Sequence, residues 1–116
     1  MVGTFKFAQE ATQFAAGATV FAIGDPPGPA YVVQSGEIEV RRGEDVIESL
    51  GPGGVVGEMA LLDQTPRSAT VVATSDCALV PLDERAFLTH VSHNPYFALE
   101  LMRVIAGRLR SREAAG

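Results

Sequence analysis

Residues 57 to 71 read Gly-Glu-Met-Ala-Leu-Leu-Asp-Gln-Thr-Pro-Arg-Ser-Ala-Thr-Val. A glycine, a carboxylate, one short apolar turn and an arginine stand within a dozen residues. Glu58 can accept a hydrogen bond from a sugar hydroxyl. Arg67 carries a planar fork of N–H donors that suits two phosphate oxygens better than the point charge of a lysine. Pro66 restricts the backbone just before it and so sets where the arginine emerges. Glu58 to Leu62 can form one helical turn whose free amides point back toward Gly57, and such a helix start attracts an anion. A small ligand carrying a ribose and a single phosphate would use all three features. The structural alternative is an ion pair between Glu58 and Arg67 or another arginine, since paired charges are common. Gly51, Gly53, Gly54 and Gly57 flank Val55-Val56; they allow left-handed backbone angles and close approach of a ligand, and equally serve tight turns. No Gly-Lys-Ser/Thr follows, which excludes a nucleoside triphosphate loop.

The elements that must position these residues are short. From residue 12 to about 81, apolar runs alternate with glycine and proline. Strands are predicted at Thr19–Ile23, Tyr31–Gln34 and Glu37–Arg41, the first stopped by Gly24-Asp25-Pro26-Pro27-Gly28-Pro29. A hairpin turn at Gly43-Glu44-Asp45 leads into Val46–Leu50, and Thr70–Thr74 and Ala78–Pro81 complete the set. Strands at this spacing predict an antiparallel jelly roll or barrel. After Pro81 the period becomes helical. Asp83 can cap a helix over about 83–92, and Asn94-Pro95 reads as a second start, for a helix over about 95–113. The N-terminal dozen residues can hold one turn of helix.

Composition narrows the function. The 116 residues suit one domain, 1–116, with a real core. No apolar run approaches the ~20 residues of a membrane span, and no secretory signal is visible at Met1–Lys6, so the expectation is a cytoplasmic protein without a membrane partner. A net charge of −5 argues against nucleic acid as a direct partner. Arg103, Arg108, Arg110 and Arg112 nevertheless crowd the C-terminal end. They form either a solvated helix face or a docking surface for an acidic partner or ligand. The lone cysteine, Cys77, reads as a small core residue. A metal-dependent enzyme on a jelly roll needs two or three histidines on its strands, whereas His90 and His93 fall after them, at the junction of the two helices. A haem or iron–sulfur sensor is disfavoured by the single cysteine and by the lack of histidine before residue 90. No metal site, resident cofactor or enzymatic chemistry is expected.

Gly-Glu-Met-Ala-Leu-Leu followed by Pro-Arg-Ser-Ala-Thr-Val resembles the phosphate-binding cassette of the cyclic nucleotide-binding domain. The resemblance runs from about Phe14 to Leu109. Phe14-Ala-Ala-Gly17 and Phe21-Ala-Ile-Gly-Asp25 are similar to the family's opening strands, Tyr31-Val-Val-Gln-Ser-Gly36 to its glycine-terminated strand, and Asn94-Pro95 to the start of its lid helix. The resemblance implies a mainly β fold, a jelly-roll barrel closed by a C-terminal lid helix, with cyclic AMP or cyclic GMP as ligand. Glu58 would accept the ribose 2′-hydroxyl, and Arg67 would hold the exocyclic phosphate oxygens. Amides of Gly57, Met59, Ala60 and Ala69, with the Ser68 hydroxyl, would complete the cradle. Val40 and Ile47 match apolar positions near the base, and Arg108 matches a lid-helix arginine that meets the glutamate or ligand from above. Ser68 is like the bacterial activators rather than the kinase subunits, and a hydroxyl there suits either nucleotide. Arg112 and Glu113 stand where the activators carry small hydroxyl residues that read adenine. The chain ends short of a helix-turn-helix, kinase or channel region, so the resemblance implies a stand-alone sensor or a piece of a longer protein. Its partner would be a second copy through the C-terminal helix, or a separate effector. The competing expectation is the same fold with an altered or silent pocket, serving as an interaction scaffold.

Overall fold

The computed structural model describes residues 11–115, with side chains through residue 110; the helical turn expected in the first residues lies almost wholly outside that range. Eight strands come first: β1 Thr12–Phe14, β2 Thr19–Phe21, β3 Ala30–Ser35, β4 Ile38–Arg42, β5 Asp45–Leu50, β6 Val55–Val56, β7 Thr70–Ala73 and β8 Cys77–Leu82. One short helix, α1 Met59–Leu62, interrupts them, and α2 Glu84–His93 and α3 Tyr96–Ala115 follow. The strands do not close into one barrel. They form two four-stranded antiparallel sheets of a jelly roll, ordered β1-β8-β3-β6 and β2-β7-β4-β5.

Why the strands sort this way is visible in their side chains. Along β3, Ala30 and Val32 pack toward the helices, while Val33 and the partly buried Tyr31 pack toward the second sheet. β6 divides likewise, Val55 toward the helices and Val56 between the sheets. The first sheet is therefore covered on both faces, so its strands read as near-continuous apolar runs instead of alternating ones. The helix-side core is Ala30, Val32, Val55 and Leu82 against Phe97 and Leu101 of α3. Phe97 is 1% exposed, and burying a side chain of that size contributes about 3 kcal/mol. Cys77 lies in the core between the sheets, where burial, and then Asp76, push its thiol up.

β1 and β6 were not expected from the residue pattern, since at three and two residues they are too short to show a period; for β1 only the resemblance of Phe14-Ala-Ala-Gly17 to an opening strand pointed there. Pro81, expected to end the strand region, lies inside β8. β1 covers only Cys77 to Leu79 of that strand, and Pro81 has Tyr31 of β3 as its partner, an edge position that tolerates a missing N–H. Asp83 caps α2 by accepting from Ala86 N–H at 2.7 Å. Asn94 C=O accepts from Phe97 N–H at 3.0 Å and Pro95 C=O from Ala98 N–H at 3.2 Å, turning the chain into α3. Among the described residues, no helix is long and apolar enough to cross a membrane.

Candidate functional site

Gly57 joins β6 to α1 with φ of +73°, a left-handed angle that favours glycine. A Cβ at this position would lie 2.6 Å from Arg67 Nη1 and 3.3 Å from the Phe21 ring, so backbone angle and crowding both require its absence. α1 is a single turn whose first bond runs from Ala60 N–H to Gly57 C=O at 3.2 Å. Gln64, at φ of +54°, takes the chain out of the turn, and its side-chain amide donates to Ala60 C=O at 2.6 Å. The chain then passes through Pro66 to Arg67.

Glu58 is 5% exposed. Its partner is Arg108 of α3, with Oε1 and Nη1 2.5 Å apart, and not Arg67. Arg108 also donates from Nε to Glu48 Oε1 of β5 at 3.1 Å and from Nη2 to the Val55 carbonyl at 2.5 Å. One guanidinium thus ties α3 to α1's entrance, β5 and β6. Burial works against the Arg108 charge, but Glu58 and then Glu48 outweigh it and hold the group above its ordinary range. A carboxylate has about four acceptor sites, so this contact does not exhaust Glu58.

Arg67 is held differently. It is 8% exposed and, among the described residues, forms no ion pair. Nη2 donates to Pro29 C=O at 2.7 Å and Nη1 to Gly57 C=O at 3.5 Å, and the guanidinium carbon lies 3.9 Å from the centre of the Phe21 ring. Burial pulls its pKa below the ordinary value, with Tyr31 and Asp25 opposing that shift. A desolvated cation with no carboxylate in direct contact is costly, and an anion from outside the chain would relieve it.

These side chains line one cavity of about 760 Å³. All ten residues expected from the sequence reach it: Gly57, Glu58, Met59 and Ala60 on one wall segment, Arg67, Ser68 and Ala69 on the next, Val40 and Ile47 from the hairpin, and Arg108 from α3. Sequence reasoning missed Phe21, Arg42 and Glu48, which line it too. Glu48 had no detectable signal. In the pairing of β4 with β5, Val40 faces Glu48 and Arg41 faces Val46, which leaves Ile47 as an extra residue. That bulge brings neighbours Ile47 and Glu48 to the same cavity, against the alternation of a regular strand. The C-terminal arginines do not share one role. Arg110 is exposed, as a solvated face requires; Arg103 is exposed too but borders the cavity, and Arg108 is turned inward; the side chains of Arg112 and Glu113 lie outside the described residues. His90 and His93 are on α2, and neither lines the cavity. The His90 ring meets Phe97 edge-on at 4.4 Å. Among the described residues, no group of three or more histidine, cysteine, aspartate or glutamate side chains could hold a metal.

Comparison with known proteins agrees with this layout. The chain is 30% identical over 102 residues to a CRP-like cAMP-activated global transcriptional regulator of Mycobacterium tuberculosis, covering 84% of this chain and 46% of the relative. It is 40% identical over 80 residues to a cAMP-dependent protein kinase regulatory subunit of Hypocrea atroviridis, covering 69% of this chain and 17% of that protein. The chain therefore spans less than half the length of these curated relatives. Its fold superposes on the catabolite activator protein of Thermus thermophilus with a TM-score of 0.80 at 32% identity, over 90% of this chain and 52% of that one. The model of the cyclic nucleotide-binding domain matches residues 11–94, which spans both sheets, the cassette and α2. The chain belongs to the cyclic nucleotide-binding domain family.

Proposed function

We propose that the cavity binds a cyclic nucleoside monophosphate, cyclic AMP or cyclic GMP, and that the chain acts as a regulatory sensor module and not as an enzyme. The observation that carries this reading is Arg67: a buried guanidinium without a carboxylate partner among the described residues, on the same cavity wall as the buried acceptor Glu58. Arg67 would take the phosphate oxygens, assisted by Ser68 and by amides of Gly57, Met59, Ala60 and Ala69. Glu58 would accept the ribose 2′-hydroxyl, Val40 and Ile47 would contact the base, and Arg108 would meet the ligand or Glu58 from α3. The ligand is the only small molecule this reading requires; no resident cofactor enters it. The names of the two curated relatives support cyclic AMP as the first ligand to try. The output would pass through α3, to a second copy or to an effector protein in the cytoplasm, without direct contact to nucleic acid or membrane.

A second reading is a silent pocket on an interaction scaffold, favoured by the Arg108–Glu58 pair, which already engages the carboxylate. Calorimetric titration of protein stripped of ligand, with cyclic AMP and cyclic GMP in parallel, separates the two. Micromolar or tighter binding of either is expected. Heat at the level of buffer for both would leave the scaffold reading standing.

A further inference from the structure

The hold on Arg67 is unlike the hold on Arg108, and it suggests a role for a residue outside the cassette. This inference rests on the reading of the cavity as an anion site. Buried arginines are ordinarily paired with carboxylates. Arg67 has an aromatic face in that place, its guanidinium carbon 3.9 Å from the centre of the Phe21 ring, well within the ~6 Å over which a ring quadrupole attracts a cation. The ring is itself braced. Phe21 stacks on Tyr31 with centroids 6.4 Å apart, and Tyr31 meets Phe14 edge-on at 6.2 Å. Strand pairing accounts for the placement: Thr19 faces Val72 and Phe21 faces Val71, so Val20 is the extra residue of a bulge and the neighbours Val20 and Phe21 both pack on the core between the sheets.

The loop after β2 completes the hold. Gly24 N–H donates to Arg67 C=O at 2.8 Å, and Arg67 N–H donates to Asp25 C=O at 2.9 Å. Pro29 supplies the carbonyl for Nη2, and a Cβ on Gly28 would lie 3.0 Å from that nitrogen. Backbone, carbonyl and ring together orient the side chain, and none of them carries a full negative charge.

We propose that Phe21 is a positioning residue whose ring face, carried on the Phe21–Tyr31–Phe14 cluster, takes the place of a carboxylate beside Arg67, orienting the guanidinium at the cavity wall while leaving its charge for an anionic ligand. A carboxylate there would neutralise the arginine and would have to be displaced by phosphate. A ring attracts the cation without net charge, so phosphate can arrive with no ion pair to break.

The test is a series at one position: Phe21→Tyr and Phe21→Leu. Leucine keeps an apolar side chain but has no π face. The first measurement needs no nucleotide. In NMR spectra of the full chain, the Arg67 guanidinium protons of wild type and Phe21→Tyr should show a ring-current upfield shift and slowed rotation, both absent in Phe21→Leu. The second is the affinity for cyclic nucleotide relative to its nucleoside, which lacks phosphate. Phe21→Leu should weaken the nucleotide about tenfold with the nucleoside affinity little changed, and Phe21→Tyr should restore it. The nucleoside serves as the control for a folded cavity. An equal loss of nucleotide and nucleoside affinity, or Arg67 signals unmoved by Phe21→Leu, overturns the proposal. If wild type binds neither cyclic nucleotide, the cavity reading fails by itself, and the guanidinium signals still decide whether Phe21 holds Arg67.

Discussion

At the scale of single residues, two buried side chains of opposite charge line one cavity, and their partners differ. Glu58 is engaged by a guanidinium from α3, while Arg67 rests on carbonyls and an aromatic face. If Arg67 takes the phosphate, Arg67→Ala should weaken cyclic nucleotide binding by about 2–5 kcal/mol, the usual loss when one member of a desolvated charge pair is removed. Arg67→Lys should recover only part of that, because the ammonium lacks the fork and the flat face that stacks on Phe21. Calorimetry reads both, and an unchanged affinity in Arg67→Ala would place the phosphate elsewhere. The residue types at 57 to 71 were legible in the sequence as chemistry. Which arginine would pair with Glu58 was not legible from residue type and spacing, because that depends on a helix some fifty residues further along the chain; only the family resemblance pointed to Arg108.

At the scale of elements, α3 is anchored twice. Phe97 and Leu101 pack it onto the first sheet, and Arg108 ties its further end to Glu48, Glu58 and the Val55 carbonyl. Removing that arginine would leave Glu58 buried and uncompensated, a change that typically costs about 3–5 kcal/mol. Arg108→Met should therefore destabilise the fold by that order in urea unfolding, and adding Glu58→Gln should return part of the loss by removing the stranded charge. A double variant no more stable than the single one would mean that the Glu58–Arg108 contact is not what holds the helix. The start of α2 was readable from Asp83 because side-chain capping is local chemistry; Asn94-Pro95 marked the turn into α3, where backbone carbonyls and not the Asn94 side chain accept the first bonds. The bulges at Val20 and Ile47 were not readable, because they exist only in the register of one strand against another. Each puts two consecutive residues on one side, Val20 with Phe21 and Ile47 with Glu48, and so breaks the parity on which strand reading depends.

At the scale of the whole molecule, the packing of two sheets and a helical layer leaves an apolar strip on the outside of α3. Leu99, Met102 and Leu109 of α3 are exposed, and with the half-buried Ala106 they recur at three- and four-residue steps, the spacing of a two-helix seam. The face of α3 that carries Phe97, Leu101 and Arg108 is already committed to the sheet and the cavity. A second copy docked through the outer strip would connect the cavity to a partner across one helix. Sedimentation equilibrium should then show a dimer that Met102→Glu with Leu109→Glu converts to monomer, with nucleotide binding retained. A wild-type chain monomeric at all concentrations tested would remove self-association as the route of output.

What the sequence determined by itself is what short-range physics controls: a β-rich body punctuated by glycine and proline, helices after Pro81, and a cassette holding carboxylate, amides and arginine in one stretch. These follow from turn chemistry, capping and side-chain type, each acting over a few residues. Tertiary structure alone decided the rest. It set two sheets in place of a closed barrel, gave Glu58 its partner from α3, put Glu48 on the cavity wall through a bulge, and seated Arg67 on Phe21. Three of the four depend on contacts between residues far apart in the chain, and the fourth, the Glu48 bulge, lies within one hairpin but exists only in its register; in each, register and packing choose the partner and side-chain type and spacing do not.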